Sequence, residues 1–457
     1  QQEMFAPLVK WSAKLPASNA SAVLQHAVSA LLSLPGGPVH LDVSSEVAAA
    51  TAHPEEPGEM DSRLCRDWPV PEAPDGGGEE TLAPRERVAQ DRAGCPGPVP
   101  SRSVTTGPIP ADIQRMLQEA HRPLFLIGLG GRTTAIAAAV RAMCESFGFP
   151  ALVTYKAKGV VPDEHPWFGG VLTNGALERE IMERSDLFLA VGLDPVELLP
   201  RPWHWHQPTL SITAWPMKQY HIPVFTELAG DSVAWLAQIS TLLSRKTEWT
   251  NPEVLKLADA QRDKMRPGGD RGGFLAHQVV DVVAETYLGA RATVDAGAHM
   301  FPVMSLWPAC EPTGILVSNG LSTMGFALPA AIGASLLDRS KPIVAFTGDG
   351  GLLMCLGELR TAARETLPLR VIVFDDETLS LIKVKQVQRG YRTDPLSMGR
   401  VDWAAIGSGL GVLTRQVSSP ELLRSCLRDT LEHPGPVLIA AKISPESYPA
   451  TLHAARG

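Results

Sequence analysis

Two acidic residues that each follow a buried-strand pattern form the strongest chemical signal in the sequence. Asp349 lies in the motif Gly348-Asp349-Gly350-Gly351 after the apolar run 343–346, and Asp376 follows the run 371–374, 27 positions later. A helix between two parallel strands would bring their carboxyl ends to one edge of a sheet, where α/β folds bind ligands. Glycine amides there can approach a phosphate, and carboxylate oxygens can hold a hard cation. The pattern predicts a metal-bridged diphosphate site.

Each half of this pattern also has a simpler structural explanation. Gly-Asp-Gly is common in turns, and an acidic residue after a strand can cap a helix. The combination of both halves across one strand–helix–strand unit favours the binding site. A second Gly-rich segment, 320–334, leads into a helix pattern, and its Met324 is either core filler or a support beneath a ligand.

The elements that must position these residues follow an alternating strand and helix pattern. This alternation predicts an α/β fold built of Rossmann-like, doubly wound parallel-sheet domains. Residues 1–50 have the pattern of the end of one domain, and residues 51–107 are rich in Pro, Gly, Glu and Arg, which predicts a flexible linker. We expect a central α/β domain over 108–250 and a last domain over 265–457.

Apolar periodicity and breaks at Gly and Pro set the expected element boundaries. The predicted helices are 20–34, 111–120, 133–147, 274–287, 326–337 and 420–431. The predicted strands are 39–43, 124–128, 151–154, 187–191, 209–212, 292–294 and 437–441.

Composition limits the classes of function. The 457 residues are 44% hydrophobic and 20% charged with a net charge of −8, which is typical of a soluble globular protein. Basic residues are scattered, so we expect no nucleic-acid surface, and no apolar run approaches the length of a membrane span. The six cysteines are far apart, which predicts reduced thiols and a cytoplasmic location.

Three other segments allow both a functional and a structural interpretation. Gly128-Leu129-Gly130-Gly131 follows a strand but lacks the third glycine of a dinucleotide motif, which favours a tight strand-to-helix turn. His165, beside Pro166, is either a site residue or part of a structural loop. The run Trp203-His204-Trp205-His206 offers two histidines without a nearby third ligand, which is weak support for a metal site.

The motifs resemble those of the thiamine-diphosphate-dependent enzymes, in the branch of acetolactate synthase and the 2-oxo acid decarboxylases. Gly348 through Asp376 is similar to the cofactor motif of that family, and Lys158 through Gly169 to its central-domain signature. The resemblance covers nearly the whole chain outside 51–107. It implies the thiamine-diphosphate-binding fold, with 1–50 as the end of the pyrimidine-binding domain and 265–457 as the diphosphate-binding domain.

The resemblance also implies which residues hold the cofactor. Side-chain oxygens of Asp349 and Asp376 and the backbone carbonyl of Thr378 would bind Mg²⁺. Many relatives have Asn at the position of Asp376, so this site carries one more negative charge. The glycines expected near the diphosphate are Gly348, Gly350 and Gly351.

Three further residues receive catalytic or cofactor-binding roles through the resemblance. Met324 matches the bulky residue that forces the cofactor into its bent shape. The carbonyl of Ser322, where relatives usually have Gly, would accept a hydrogen bond from the aminopyrimidine. His299 matches a position near the diphosphate and the reacting centre.

The implied activity is decarboxylation or carboligation of a 2-oxo acid by a homodimer or homotetramer that uses thiamine diphosphate and Mg²⁺. The segment Thr378–Gln386, with Leu381, is expected to line the entrance to the site. Lys383 and Lys385 in that segment either attract a substrate carboxylate or are ordinary surface lysines. No motif indicates a bound flavin.

One departure from the family leaves a second interpretation open. The glutamate that activates the cofactor in relatives lies early in the first domain, and no residue of 1–50 can be assigned that role. We therefore expect further residues upstream. The alternative is a truncated or non-catalytic member of the family that binds the cofactor weakly or serves as a scaffold.

Overall fold

The computed structural model describes residues 9–16, 20–33, 37–44, 47, 103–105, 107–217, 222–243, 246–268, 273–318 and 320–457. The chain divides into two compact units, Gln1–Cys95 and Pro96–Gly457. Nearly all of the predicted linker 51–107 lies outside the described residues.

The first unit contains one parallel strand pair and a helix. Strand β1 (Trp11–Lys14) pairs with β2 (Val39–Asp42), and helix α1 (Ala20–Leu32) connects them. The predicted helix and second strand are confirmed. Strand β1 was not predicted, because Trp-Ser-Ala-Lys has no extended apolar run.

The second unit begins with a seven-stranded parallel sheet. Its strands are β3 (Ser103–Thr105), β4 (Pro123–Ile127), β5 (Ala151–Val153), β6 (Phe168–Val171), β7 (Leu187–Val191), β8 (Thr209–Thr213) and β9 (Thr226–Ala229). Their order is β3-β9-β8-β7-β4-β5-β6. The helices around it are α2 (Ala111–Glu119), α3 (Thr134–Phe147), α4 (Arg179–Glu183), α5 (Ser232–Leu242) and α6 (Asn251–Lys264).

A six-stranded parallel sheet follows in the same unit. Its strands are β10 (Arg291–Val294), β11 (Ile315–Val317), β12 (Ile343–Gly348), β13 (Leu369–Asp375), β14 (Leu413–Val417) and β15 (Val437–Lys442), in the order β11-β10-β12-β13-β15-β14. Its helices are α7 (Ala276–Thr286), α8 (Met300–Leu306), α9 (Ala327–Leu337), α10 (Asp349–Met354), α11 (Glu358–Arg364), α12 (Ser380–Gln388), α13 (Trp403–Leu410), α14 (Pro420–Asp429) and α15 (Tyr448–Arg456).

Both faces of the second sheet are covered, as expected for a doubly wound fold. Along β12, Val344 and Phe346 belong to one hydrophobic core, while Ile343 and Ala345 belong to the core on the opposite face. Strands buried on both faces appear in the sequence as continuous apolar runs. The predicted α/β parallel-sheet fold class is confirmed.

Local signals explain where the helices begin and end. The hydroxyl of Thr133 accepts the N–H of Ile136 at the start of α3, and Gly148 ends that helix at φ +76°. One expectation is wrong: the connection between β12 and β13 contains two short helices, α10 and α11, and not the single helix expected. The break falls at 355–357, where the sequence reaches Gly357.

The Lys158–His165 segment joins the two sheets of the second unit. Asp163 Oδ2 accepts the N–H of Ala309, which follows α8, at 3.1 Å. A Cβ at Gly159, which has φ +88°, would lie 1.9 Å from the carbonyl oxygen of Glu311. The segment therefore has a structural role in docking one sheet on the other.

Within the part of the chain that the structure describes, no helix combines the length and the apolar character needed to cross a bilayer. Four cysteines fall among the described residues, and all four are free thiols: Cys144, Cys310, Cys355 and Cys426.

Candidate functional site

The carboxyl ends of two neighbouring strands bring the predicted metal ligands together. Strands β12 and β13 pair in parallel, with Gly348 opposite Phe374. Asp349 is the first residue of α10, and Asp376 directly follows β13. Asp349 and Asp376 therefore share one edge of the sheet, the acidic edge, as the sequence pattern predicts.

Burial and neighbouring negative charges disfavour the ionised forms of these two carboxyl groups. Burial, reinforced by the charge of Asp375, raises the pKa of Asp349 to about 6. Burial, followed by the charge of Asp349, raises the pKa of Asp376 to about 7. Asp349 Oδ2 is buried and has no hydrogen-bond partner among the described residues. A divalent cation would remove both penalties, because it prefers oxygen ligands and offsets their charge.

Backbone and hydroxyl donors fix the orientation of Asp376. The N–H of Thr378 donates to Asp376 Oδ1 at 3.0 Å, and Ser380 Oγ donates to Oδ2 at 2.8 Å. The carbonyl of Thr378, the expected third metal ligand, accepts the N–H of Ser380 at 2.8 Å and keeps a second lone pair. Across the described ranges, no group of three or more His, Cys, Asp or Glu side chains is placed to hold a metal ion. A cation at this edge would therefore need backbone or ligand oxygens in addition to the two carboxylates.

Close packing explains the glycines that follow Asp349. A Cβ at Gly350 would lie 2.7 Å from Leu379 Cδ2 and 3.3 Å from Met324 Cε. A Cβ at Gly351 would lie 2.2 Å from Asp295 Oδ2. The N–H of Gly350 donates to Asp349 Oδ1 at 2.7 Å.

His299 lies at the same edge of the sheet. Its ring stacks on Phe374 at a centroid distance of 5.0 Å, and a Cβ at Gly348 would be 3.3 Å from His299 Cε1. Burial lowers the pKa of His299 to about 4, although Asp295 acts in the opposite direction. The imidazole is therefore neutral near pH 7, and its Nε2 is buried without a hydrogen-bond partner among the described residues.

Asp295 is a functional candidate that the sequence reasoning missed. Its buried carboxylate accepts the N–H groups of Gly325, Phe326 and Ala327 at 3.1, 2.7 and 2.7 Å. It also accepts Thr347 Oγ1 at 2.6 Å, one residue before Gly348. The available signal was an acidic residue directly after the strand β10, which is the same pattern that identified Asp349.

This arrangement places the loop of Ser322 and Met324 beside the acidic edge. Met324 is half-buried, with its methyl group near Gly350. Ser322 is exposed and has φ +50°, in the left-handed region that favours glycine. Leu381, on α12, is half-buried and packs against the core under the sheet.

The remaining motifs do not join this edge. Residues 129–131 form a tight turn in which Glu197 Oε2 accepts the N–H of Leu129 at 2.7 Å, so the predicted strand-to-helix turn is confirmed. His204 and His206 are exposed, while the tryptophans beside them pack against the core. His165 Nε2 lies 3.3 Å from Glu145 Oε1.

Two protein-family models match the chain. Residues 295–441 match the thiamine pyrophosphate enzyme, C-terminal TPP binding domain, and residues 111–212 match the thiamine pyrophosphate enzyme, central domain. Thiamine pyrophosphate is another name for thiamine diphosphate. The two segments together make up more than half of the chain, and the first contains the acidic edge, His299 and Met324.

Curated relatives give the same result. The chain is 30% identical to acetolactate synthase of Bacillus subtilis (strain 168) over 348 residues, covering 71% of this chain and 59% of the relative. It is 29% identical to acetolactate synthase isozyme 1 large subunit of Escherichia coli (strain K12), covering 74% of this chain and 62% of the relative. It is 25% identical to the catabolic acetolactate synthase of Raoultella terrigena, covering 98% of this chain and 76% of the relative. The chain thus spans about three fifths of the first two relatives.

A solved structure shares the fold. The crystal structure of a candidate thiamin diphosphate-dependent enzyme from Mycobacterium smegmatis superposes with a TM-score of 0.69 at 20% identity. The similarity covers 96% of this chain and 77% of that chain.

Proposed function

Because the chain belongs to the thiamine pyrophosphate enzyme family, in its acetolactate synthase-like branch, we propose that it decarboxylates or condenses a 2-oxo acid with thiamine diphosphate and Mg²⁺. The observation that carries the proposal is the pair Asp349 and Asp376. A buried carboxyl group, Asp349, and a half-buried one, Asp376, both with raised pKa values, lie at one edge of the sheet, inside the segment that matches the cofactor-binding domain.

The donor set fits a hard cation that bridges to a diphosphate. Asp349 and Asp376 would hold Mg²⁺ together with the Thr378 carbonyl, and Asp349 Oδ2 is the buried oxygen that lacks a partner among the described residues. When bound, thiamine diphosphate supplies the electron sink for cleavage beside a 2-oxo carbonyl.

The chain's own residues would position the cofactor and set the protonation state of one side chain beside it. The methyl group of Met324 packs near Gly350, the residue after Asp349. His299, neutral and stacked on Phe374, keeps Nε2 free to donate or accept one hydrogen bond at a reacting group. The burial of His299 and Asp349 strengthens the electrostatic interactions that these two side chains make.

We propose a homodimer or homotetramer as the assembly. Helix α9 exposes Leu336 and Leu337, which are 51% and 83% accessible, on the same side as Pro329 and Gly333. An apolar helix face of this kind is stabilised when a second copy covers it. Analytical ultracentrifugation of Leu337→Glu against the unsubstituted chain should show dissociation.

The proposed function is tested by binding and turnover measured together. Calorimetry should show thiamine diphosphate binding that requires Mg²⁺. Asp349→Ala should weaken this binding by at least ~100-fold, which is more than the loss typical of a residue that only orients a metal ligand. Asp429→Ala, at the exposed end of α14, is the matched control. Unchanged affinity in Asp349→Ala would contradict the site assignment.

The second candidate is cofactor binding without turnover. Among the described residues of the first unit (9–16, 20–33, 37–44 and 47) there is no glutamate to activate the cofactor. For the chain as given, we expect little CO₂ or acetolactate from pyruvate in the presence of cofactor and Mg²⁺. Robust turnover would exclude this second candidate.

A further inference from the structure

Glu377 has an unfavourable backbone conformation directly after a proposed metal ligand. It follows Asp376 and has φ +59°, in the left-handed region that glycine adopts readily and that residues with a Cβ adopt rarely. The turn at Glu377 connects Asp376 with Thr378, the two residues of this segment that are expected to hold the cation. A strained turn of this kind persists only when the surrounding structure holds it in place.

Backbone hydrogen bonds attach the turn to the segment that follows α12. The carbonyl of Glu377 accepts the N–H of Met398 at 2.8 Å, and the N–H of Leu379 donates to the carbonyl of Leu396 at 3.0 Å. Most residues of 391–400 are exposed, so this segment alone is a weak support for the turn.

A lysine of the sheet contacts the side chain of Glu377. Lys442 is the last residue of β15, and it lies opposite Asp375 in the parallel register of β13 and β15. Its Nζ is 2.6 Å from Glu377 Oε1 and 3.8 Å from Asp375 Oδ1. The N–H of Ile443 donates to the carbonyl of Asp375 at 3.1 Å, so the sheet fixes the backbone on both sides of Lys442. The ion pair therefore connects the strained turn to the sheet.

The same two residues act on the other proposed metal ligand. Burial raises the pKa of Asp349 to about 6, whereas the backbone N–H of Glu377 and the charge of Lys442 act in the opposite direction. The amide of Glu377 therefore stabilises the ionised form of Asp349. The direction of this amide depends on the left-handed turn.

We propose that Lys442 is a positioning residue for the proposed metal site. Its ammonium group holds the side chain of Glu377, and this ion pair stabilises the left-handed turn between Asp376 and Thr378. The role toward a metal ion rests on the proposed function. Both partners of the pair are partly exposed, so its contribution is modest, but it acts on a turn whose conformation is strained.

The first test measures hydrogen exchange in the metal-free chain, so that its outcome does not depend on the proposed function. Lys442→Met should accelerate exchange of the Leu379 and Met398 amides by about three- to fivefold, the size expected when one partly exposed ion pair is lost. Lys341→Met removes an exposed ion pair with Glu311 before β12, and this matched control should leave the same amides unchanged. Unchanged exchange in Lys442→Met would overturn the proposal.

Substitutions of Glu377 distinguish the ion pair from a general effect of charge. Glu377→Gln removes the pair and keeps the strained turn, so its exchange should be as fast as that of Lys442→Met. Glu377→Gly removes the pair and the strain together, so addition of Lys442→Met to it should have no further effect. A further acceleration of the same size in that double variant would show that Lys442 acts through another group, such as Asp375, and would overturn the proposal.

The second test measures the consequence for binding. Calorimetry with thiamine diphosphate and Mg²⁺ should give about three- to fivefold weaker binding in Lys442→Met, whereas Lys442→Arg keeps the charge and should bind nearly as the unsubstituted chain does. Unchanged affinity in Lys442→Met, or an equal loss in both variants, would overturn the positioning role. Absence of binding by the unsubstituted chain would contradict the proposed function, while the exchange rates would still decide whether Lys442 holds the turn.

Discussion

The ammonium group of Lys158 lies 2.6 Å from Asp163 Oδ1, in an ion pair whose two side chains are 0% and 4% exposed. Asp163 uses its other oxygen to accept the N–H of Ala309, so one carboxylate links the two sheets of the second unit. Burial lowers the pKa of Lys158, and the charge of Asp163 opposes that effect. A buried pair of this kind depends on both partners.

Replacement of Lys158 should therefore be strongly destabilising. We expect Lys158→Met to lower the free energy of unfolding by about 3–5 kcal/mol, because the carboxylate of Asp163 is left buried and unpaired. Lys156→Met, on the neighbouring turn, should change it by less than about 1 kcal/mol. Urea unfolding measures both. Adding Asp163→Leu to Lys158→Met should recover part of the loss; a further additive loss would contradict this account.

Substitution of Gly159 should cost more stability than substitution of Gly289, a glycine with a similar φ and no neighbouring atoms. Gly159 and Gly289 have φ of +88° and +78°, but only a Cβ at Gly159 meets another atom, the Glu311 carbonyl oxygen. Gly289→Ala should cost about 1 kcal/mol of backbone strain. Gly159→Ala should cost roughly 2 kcal/mol more, because the sheets must move apart. Equal melting temperatures for the two variants would contradict the close approach.

Loss of Asp295 should release the Met324 loop. Asp295→Ala leaves three N–H groups and the Thr347 hydroxyl without their acceptor, so we expect a loss of at least ~3 kcal/mol in unfolding free energy. Asp231→Ala, which removes a helix cap at the surface, should cost about 1 kcal/mol. Hydrogen exchange should accelerate at 325–327 in Asp295→Ala alone. Unchanged protection of those amides would show that other contacts hold the loop.

Mg²⁺ affinity should rise with pH between about 5 and 8. The cation binds the ionised carboxylates, and the pKa values of Asp349 and Asp376 are raised to about 6 and about 7. Each carboxyl that must lose its proton contributes roughly a tenfold change per pH unit below its pKa. Asp376→Asn removes one of these titrations, so its pH dependence, measured by calorimetry, should be shallower. An equally steep profile in this variant would contradict the coupling.

The metal-free protein should show the opposite trend in stability. Because folding raises the pKa of both carboxyls, their contribution is fully favourable below the unfolded value of about 3.9 and is lost as pH rises through about 6 and 7. The melting temperature without Mg²⁺ should therefore fall across this range, and Asp376→Asn should reduce the fall. Addition of Mg²⁺ at pH 8 should restore stability more than it does at pH 5.

Long buried strands were predictable because burial on both faces leaves an unbroken apolar run. Strand β7 was predicted with its observed bounds. Strand β14, at the sheet edge, was missed because Thr414, Arg415 and Gln416 face solvent at least in part and interrupt the pattern. Strand β6 was missed because two of its four residues are glycines.

The positions of Asp349 and Asp376 were predictable from the sequence, and the hydrogen bonds that Asp295 accepts beside them were not. Asp349 and Asp376 each carry a local signal, a strand end followed by an acidic residue. The role of Asp295 depends on amides about 30 positions away. Such a sequence separation has no local signature in one sequence, because the sheet order that brings these groups together is a property of the whole fold.

The four hydrogen bonds to Asp295 limit how this site can move. They attach the start of α9 and the preceding residue pair to Asp295 and, through Thr347, to the strand that ends at Gly348, so the residues that directly follow Met324 are held in place. An outward movement of residues 325–327 would leave the buried carboxylate of Asp295 without three of its hydrogen-bond donors, which is costly. We therefore expect entry and exit of ligands to depend on the motion of other segments, with little change in the separation between Met324 and the pair Asp349 and Asp376.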